Sequence, residues 1–192
     1  MEMATTASPA APAVGDIHSS DPGTGARYNG GKVTFDLLPI LPLVRWEEKY
    51  GRAGARAAGD LRERAFAVLG EIGRWQAGDE AALDRALAAT GAATLEDLAD
   101  CARVFDWGRV VKYKEWNWAK GMPWSVALGC IIRHCNAIRR GERNDHETGL
   151  PTMAHVQCNL VMLLTWRDTH LSGDDRPVKF LAGTLKDADH AH

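Results

Sequence analysis

Apolar residues recur at helical spacing through most of the chain. Leu61, Ala65, Val68 and Ile72 form one such stripe, Leu98, Ala102 and Phe105 a second, and Ala127, Ile131 and Ile138 a third. The pattern predicts helices over about 39–50, 53–75, 79–89, 94–113, 124–140 and 151–166. Gly51 and Gly141 are read as stops for the first and fifth of these, and Pro151 sits in the first turn of the last. Pro42 disfavours helix across the turn before it. Thr94 with Asp97 three residues on reads as an N-cap pair. The one β-like fragment is KVTF at 32–35. The predicted class is all-α, a compact helical bundle.

Residues 1–24 are small, polar and proline-interrupted, which predicts a disordered leader. A single helical domain is expected over 25–166, with an Ala/Arg-rich helical block near 51–93. A loosely ordered tail is expected over 167–192, His190 and His192 being tail residues. The length of 192 residues suits one domain with a real core.

The formal net charge is −2. No basic excess marks a protein that grips duplex nucleic acid, so no stable nucleic-acid partner is expected. Cys101, Cys130, Cys135 and Cys158 lie in apolar helical patterns without a CxxC pair, as reduced residues of a cytoplasmic chain do. No apolar run approaches the ~18 residues of a membrane span, and the N-terminus lacks the pattern of a secretory signal.

Chemistry concentrates between Lys112 and Trp166. His134 falls on the stripe of Ala127, Ile131 and Ile138. His155 and Asn159 are i and i+4 on the last helix and share a face with Met162. If the two helices pair antiparallel, these groups meet, and the loop between them hangs Glu142, Asp145 and Glu147 over one end. Carboxylates beside imidazoles suit a divalent ion, Mg²⁺ or Mn²⁺. Lys112, Lys114 and Lys120 could meet phosphate charge, and Trp116 and Trp118 could stack on a base. The plainer reading is equally open: core histidines, solvated loop acids with Asp145 or Thr148 as a cap, and tryptophans that anchor the core.

Read as strings, GARYNGGKVTFDLLP, VFDWGRVVKYKEWNWAKGMPWS and RHCNAIRRGERNDHETGLPTMAHVQCNLVMLL resemble successive blocks of the phage dATP/dGTP diphosphohydrolase N-terminal family. The matching positions are Lys32, Asp36, Leu37 and Pro39; Asn117, Trp118, Lys120 and Gly121; Arg133 and His134; Gly141, Glu142, Asp145, Glu147, Gly149 and Leu150; and His155 with Asn159. The resemblance implies metal-dependent hydrolysis of a purine deoxynucleoside triphosphate to the monophosphate, and kinship with MazG-like all-α pyrophosphohydrolases. It implies catalytic roles for Glu142, Asp145 and His134. Metal would be held among Glu142, Asp145, Glu147, His134 and His155. Substrate would be held by Lys32, Asp36, Lys112, Asn117, Trp118, Lys120 and Asn159. A homo-oligomer is expected, working in the cytoplasm (of the host, if phage-encoded). Two departures stand out: no ExxE helix precedes Glu142-x-x-Asp145, and the 51–93 block reads as an insertion. The alternative from another class is a non-catalytic helical nucleotide-binding or assembly module.

Overall fold

In the computed structural model, residues 32–57 and 59–185 are described; the expected leader, the end of the tail, His190 and His192 lie outside them. The chain divides into two units, Met1–Val33 and Thr34–His192. Of the first, only Lys32 and Val33 are described.

The described part of the second unit is built from helices and the loops between them, and no strand occurs among the described residues. The helices are α1 (Ile40–Ala55), α2 (Leu61–Gln76), α3 (Ala82–Ala89), α4 (Ala99–Val111), α5 (Trp124–Arg139), α6 (Thr152–Thr169) and the short α7 (Val178–Leu181). The KVTF fragment is not a strand: Phe35 opens a 3₁₀ turn, Phe35–Leu37, that buries Leu37.

Two boundaries differ instructively from the sequence pattern. Gly51 does not end α1, which runs on to Ala55. Both Gly51 and Gly54 are buried where the 92–93 backbone crosses the helix, and a Cβ at either would collide with the carbonyl oxygen of Ala93 or Ala92. These glycines permit close approach, not termination. The block expected as one helix over 53–75 is therefore broken, and α2 starts afresh at a capping box. Asp60 accepts from the N–H groups of Arg62 (2.8 Å) and Glu63 (3.0 Å), while the Glu63 carboxylate accepts from the Asp60 N–H at 2.8 Å. At 94–97 only half of the expected cap forms. Asp97 accepts from the Thr94 N–H at 2.9 Å, but the Thr94 hydroxyl turns back to Asp97 instead of capping the helix.

α6 is the axis of the fold. Twelve of its eighteen residues are buried, on every face, as befits a helix enclosed by its neighbours. It packs on α5, α4, α3 and α1. Its pairing with α5 is antiparallel: Trp124 at the start of α5 donates to the His170 carbonyl beyond the end of α6, while His134 meets His155 near the start of α6. Beyond Thr169 the chain folds back over α2 and α5. There the Arg176 guanidinium lies 4.3 Å from the Trp75 ring centroid and 5.2 Å from that of Trp124, and donates to the Trp75 carbonyl at 2.9 Å.

Candidate active-site cavity

The loop between α5 and α6 sets the site. Gly141, with φ of 104°, releases the chain from α5. Asn144 and Pro151 form an isolated bridge, with the Asp145 N–H donating to the Leu150 carbonyl at 2.9 Å and the Thr152 N–H to the Arg143 carbonyl at 2.9 Å. Inside this turn one oxygen, Asp145 Oδ1, accepts from the N–H groups of Glu147 and Thr148 at 3.1 Å and from the Thr148 hydroxyl at 3.2 Å. Such an aspartate organises its own loop.

A cavity of about 480 Å³ opens between this loop, the end of α4, the segment 113–118 and the facing surfaces of α5 and α6. His134 from α5 and His155 from α6 stack there, ring centroids 4.9 Å apart at 30°. Thr148 Oγ1 lies 2.8 Å from His155 Nε2, and Asn159 Nδ2 donates to the His155 carbonyl at 2.8 Å. The opposite wall is aromatic. Trp118 packs against Phe105 (5.2 Å) and Trp116 (5.6 Å), and Trp116 takes a left-handed backbone, φ 57°. Arg109, Lys112, Lys114 and Arg133 bring four cations to the lining, against the carboxylates of Glu115 and Glu147.

Of the residues nominated by sequence, the cavity gathers His134, His155, Asn159, Lys112, Asn117, Trp118 and Glu147. Asp145 stands just behind, its Oδ1 3.8 Å from His155 Nε2. The others lie elsewhere. Glu142 pairs with Arg140 at 3.0 Å and lines a separate small cavity beside Asp60 and Arg62. Lys120 is exposed and donates to Asn117 Oδ1 at 3.4 Å. Asp36 is exposed on the first 3₁₀ turn and acts on Arg109 through its charge. Lys32 belongs to the other unit. The sequence pattern assigned no role to Arg109, and Arg133 stood out only as a position of the family resemblance, beside His134.

The metal donors fare similarly. Among the described residues no group of three or more His, Cys, Asp or Glu side chains converges as a metal site. Glu142 faces another cavity, Asp145 Oδ1 is taken up by three donors of its own loop, and Glu147 is paired with Lys112 at 2.5 Å. In this arrangement the five nominated donors do not fit a protein-held Mg²⁺ or Mn²⁺.

Electrostatics favour neutral imidazoles. Burial pushes the His134 pKa below its usual value, with Arg133 adding to the effect and Asp145 and Glu142 opposing it. His155 is lowered by burial and then by His134, against the pull of Asp145 and Glu147. Burial works to raise Asp145, but hydrogen bonds from the loop and the neighbouring His155 outweigh it and hold the carboxyl below the ordinary range. The Glu147 carboxylate raises Lys112.

The four cysteines are free thiols. Burial lifts Cys135 to about 12 and drives Cys101, beside Cys158, well above the usual thiol value, so both are protonated core residues. No helix among the described residues is long and apolar enough to cross a membrane.

Helices wrapped around a histidine-lined cavity of small-molecule size define an all-α protein with a concave candidate site. Residues 79–176, just over half of the chain, match the family described as dATP/dGTP diphosphohydrolase, N-terminal, and the chain belongs to that family. The match begins before α3 and ends at Arg176, so it contains the whole histidine cavity wall from α4 to α6. No curated protein and no solved structure matches the chain.

Proposed function

We propose that this chain hydrolyses dATP or dGTP to the deoxynucleoside monophosphate and pyrophosphate. The carrying observation is that one cavity unites a stacked pair of neutral imidazoles with an aromatic wall and four cations. A purine base would lie against Trp116 and Trp118, with Asn117 and Asn159 offering hydrogen bonds at its edges. Lys114 and Arg133 would offset the charge of the triphosphate, joined by Lys112 and Arg109 once phosphate replaces their present partners Glu147 and Asp106. Water attacks the α-phosphorus, the bond from that phosphorus to the bridging oxygen of the β-phosphate breaks, and pyrophosphate leaves. His155 or His134, neutral at pH 7, takes the water's proton.

Asp145 supports this chemistry from behind His155, and Glu142 reaches His134 only through its charge. No step is routed through Mg²⁺ or Mn²⁺, because the nominated donors do not close on one point. Assembly into a homo-oligomer belongs to the same proposal: Val110 and Val111, 52% and 57% exposed, leave apolar surface at the end of α4.

The test is product analysis with each deoxynucleoside and nucleoside triphosphate, with Mg²⁺, Mn²⁺ or chelator. Monophosphate and pyrophosphate from dATP or dGTP support the reading. Folded protein that binds these nucleotides and hydrolyses none would replace it with the non-catalytic binding module.

A further inference from the structure

Thr148 carries no assigned role in the reaction, yet it stands between the two groups that the site most needs to connect. Asp145 Oδ1 and His155 Nε2 are 3.8 Å apart, too far for a direct hydrogen bond. Thr148 Oγ1 lies 3.2 Å from the first and 2.8 Å from the second. The Leu150 N–H also donates to this hydroxyl, at 3.2 Å.

One proton arrangement satisfies all three contacts at once. An ionised carboxylate only accepts, so the single hydroxyl proton of Thr148 goes to Asp145. The oxygen's two lone pairs remain; Leu150 N–H takes one, and the short contact to His155 requires the ring to donate into the other. We propose that Thr148 is a positioning residue that fixes His155 as the Nε2–H tautomer, leaving Nδ1 as the ring's basic nitrogen. The inference deepens the hydrolase reading and, as a contribution to catalysis, rests on it; the tautomer itself does not.

The chain Asp145–Thr148–His155 explains two features of the loop. Asp145 sits at 13% side-chain exposure with its charge intact, held by donors on the loop and facing the ring through Thr148. Gly149 takes φ of 71° immediately after Thr148, the sharp bend that returns the chain to Pro151 and the start of α6. The hydroxyl thereby meets a ring that stands one helical turn into α6.

The experiment uses the full chain at neutral pH. Nitrogen-15 NMR of the imidazoles in wild type, Thr148→Ser and Thr148→Val reports the tautomer directly, and circular dichroism checks the fold. Wild type and Thr148→Ser show His155 protonated at Nε2; in Thr148→Val the preference is lost. With dATP or dGTP, Thr148→Val lowers kcat roughly 10- to 100-fold with little change in KM, part of the roughly 10²–10⁴-fold that a positioned general base contributes, and Thr148→Ser restores it. A wild-type His155 protonated at Nδ1 overturns the proposal before any variant is made. So does a folded Thr148→Val variant with an unchanged tautomer. If wild type hydrolyses no nucleotide, the hydrolase reading fails while the tautomer still decides for or against Thr148.

Discussion

The rings of His134 and His155 stack across the α5–α6 interface with centroids 4.9 Å apart, and burial holds both below the ordinary imidazole pKa. Two imidazoles in contact cannot both carry charge without repulsion, and burial already disfavours charge on either. The pair is therefore a neutral one at pH 7, suited to taking a proton and poorly suited to holding one.

That pair makes stability pH-dependent. For a group whose folded pKa is depressed, the unfolded chain binds more protons once pH falls toward the unfolded value, so stability rises with pH there. The two histidines contribute fully above about 6.5, and their contribution is lost as pH falls through the folded values; Asp145 acts in the same direction at lower pH. Tm should fall from pH 7.5 to pH 5. His134→Phe should make that fall shallower, since one depressed group is gone and His155 loses the neighbour that lowers it. An equal or steeper fall in the variant would contradict the assignment.

How much of this was legible in sequence depends on range. His155, Asn159 and Met162 were expected on one face by i, i+4 and i+7 spacing, and all three line the cavity. The loop acids were not separable. Glu142, Asp145 and Glu147 lie within six residues of one another, and only the turn closed by Asn144 and Pro151 decides that one faces away, one braces a histidine and one pairs with a lysine. Gly51 misled because a helix-stop glycine and a close-packing glycine look alike until the 92–93 segment is in place. Contacts such as Arg176 on Trp75, 101 positions apart, leave no local pattern at all.

The ion pair of Asp84 and Arg167 makes a second prediction. Asp84 is 8% exposed in α3, and Arg167 reaches it from α6 with bonds of 2.7 and 3.3 Å. Removing one partner strands the other charge. Asp84→Ala should cost about 3 kcal/mol, and replacing both residues by apolar ones should recover much of that loss. For a chain of this size the single variant should melt roughly 6–12 °C lower. Thermal unfolding of the two single variants and the double one measures the coupling; strictly additive losses would mean that the pair contributes nothing as a pair.

Arg176 gives a third. Its side chain is 5% exposed, and besides the two tryptophan faces it bonds Asp174 and Glu80 at 2.8 Å each. Only a planar fork can stack on a ring and serve these acceptors together. Arg176→Ala should lower stability by about 3 kcal/mol, the sum expected of a buried cation–π contact and charge-assisted bonds. Arg176→Lys should recover little of it. Protease cleavage after Thr169 should accelerate in both variants; a Lys variant as stable as wild type would show that charge alone holds this segment.

The backbone of Trp116 separates strain from recognition. It is the one non-glycine residue with positive φ among those described, at 57°, and the residue is 38% exposed beside Trp118 at the cavity wall. A bulky residue held in this region costs about 1–2 kcal/mol, which glycine would not incur. Trp116→Gly should therefore leave stability within about 1 kcal/mol of wild type or raise it. If a purine stacks on this ring, the same change removes about 1–3 kcal/mol of binding, which raises KM for dATP or dGTP roughly 5- to 150-fold. Trp116→Phe keeps a stacking face and should retain most of the affinity. Stability and KM are read on the same preparations by melting and by steady-state kinetics. An unchanged KM in Trp116→Gly would place the base elsewhere in the cavity and leave the strain at Trp116 without a role in binding.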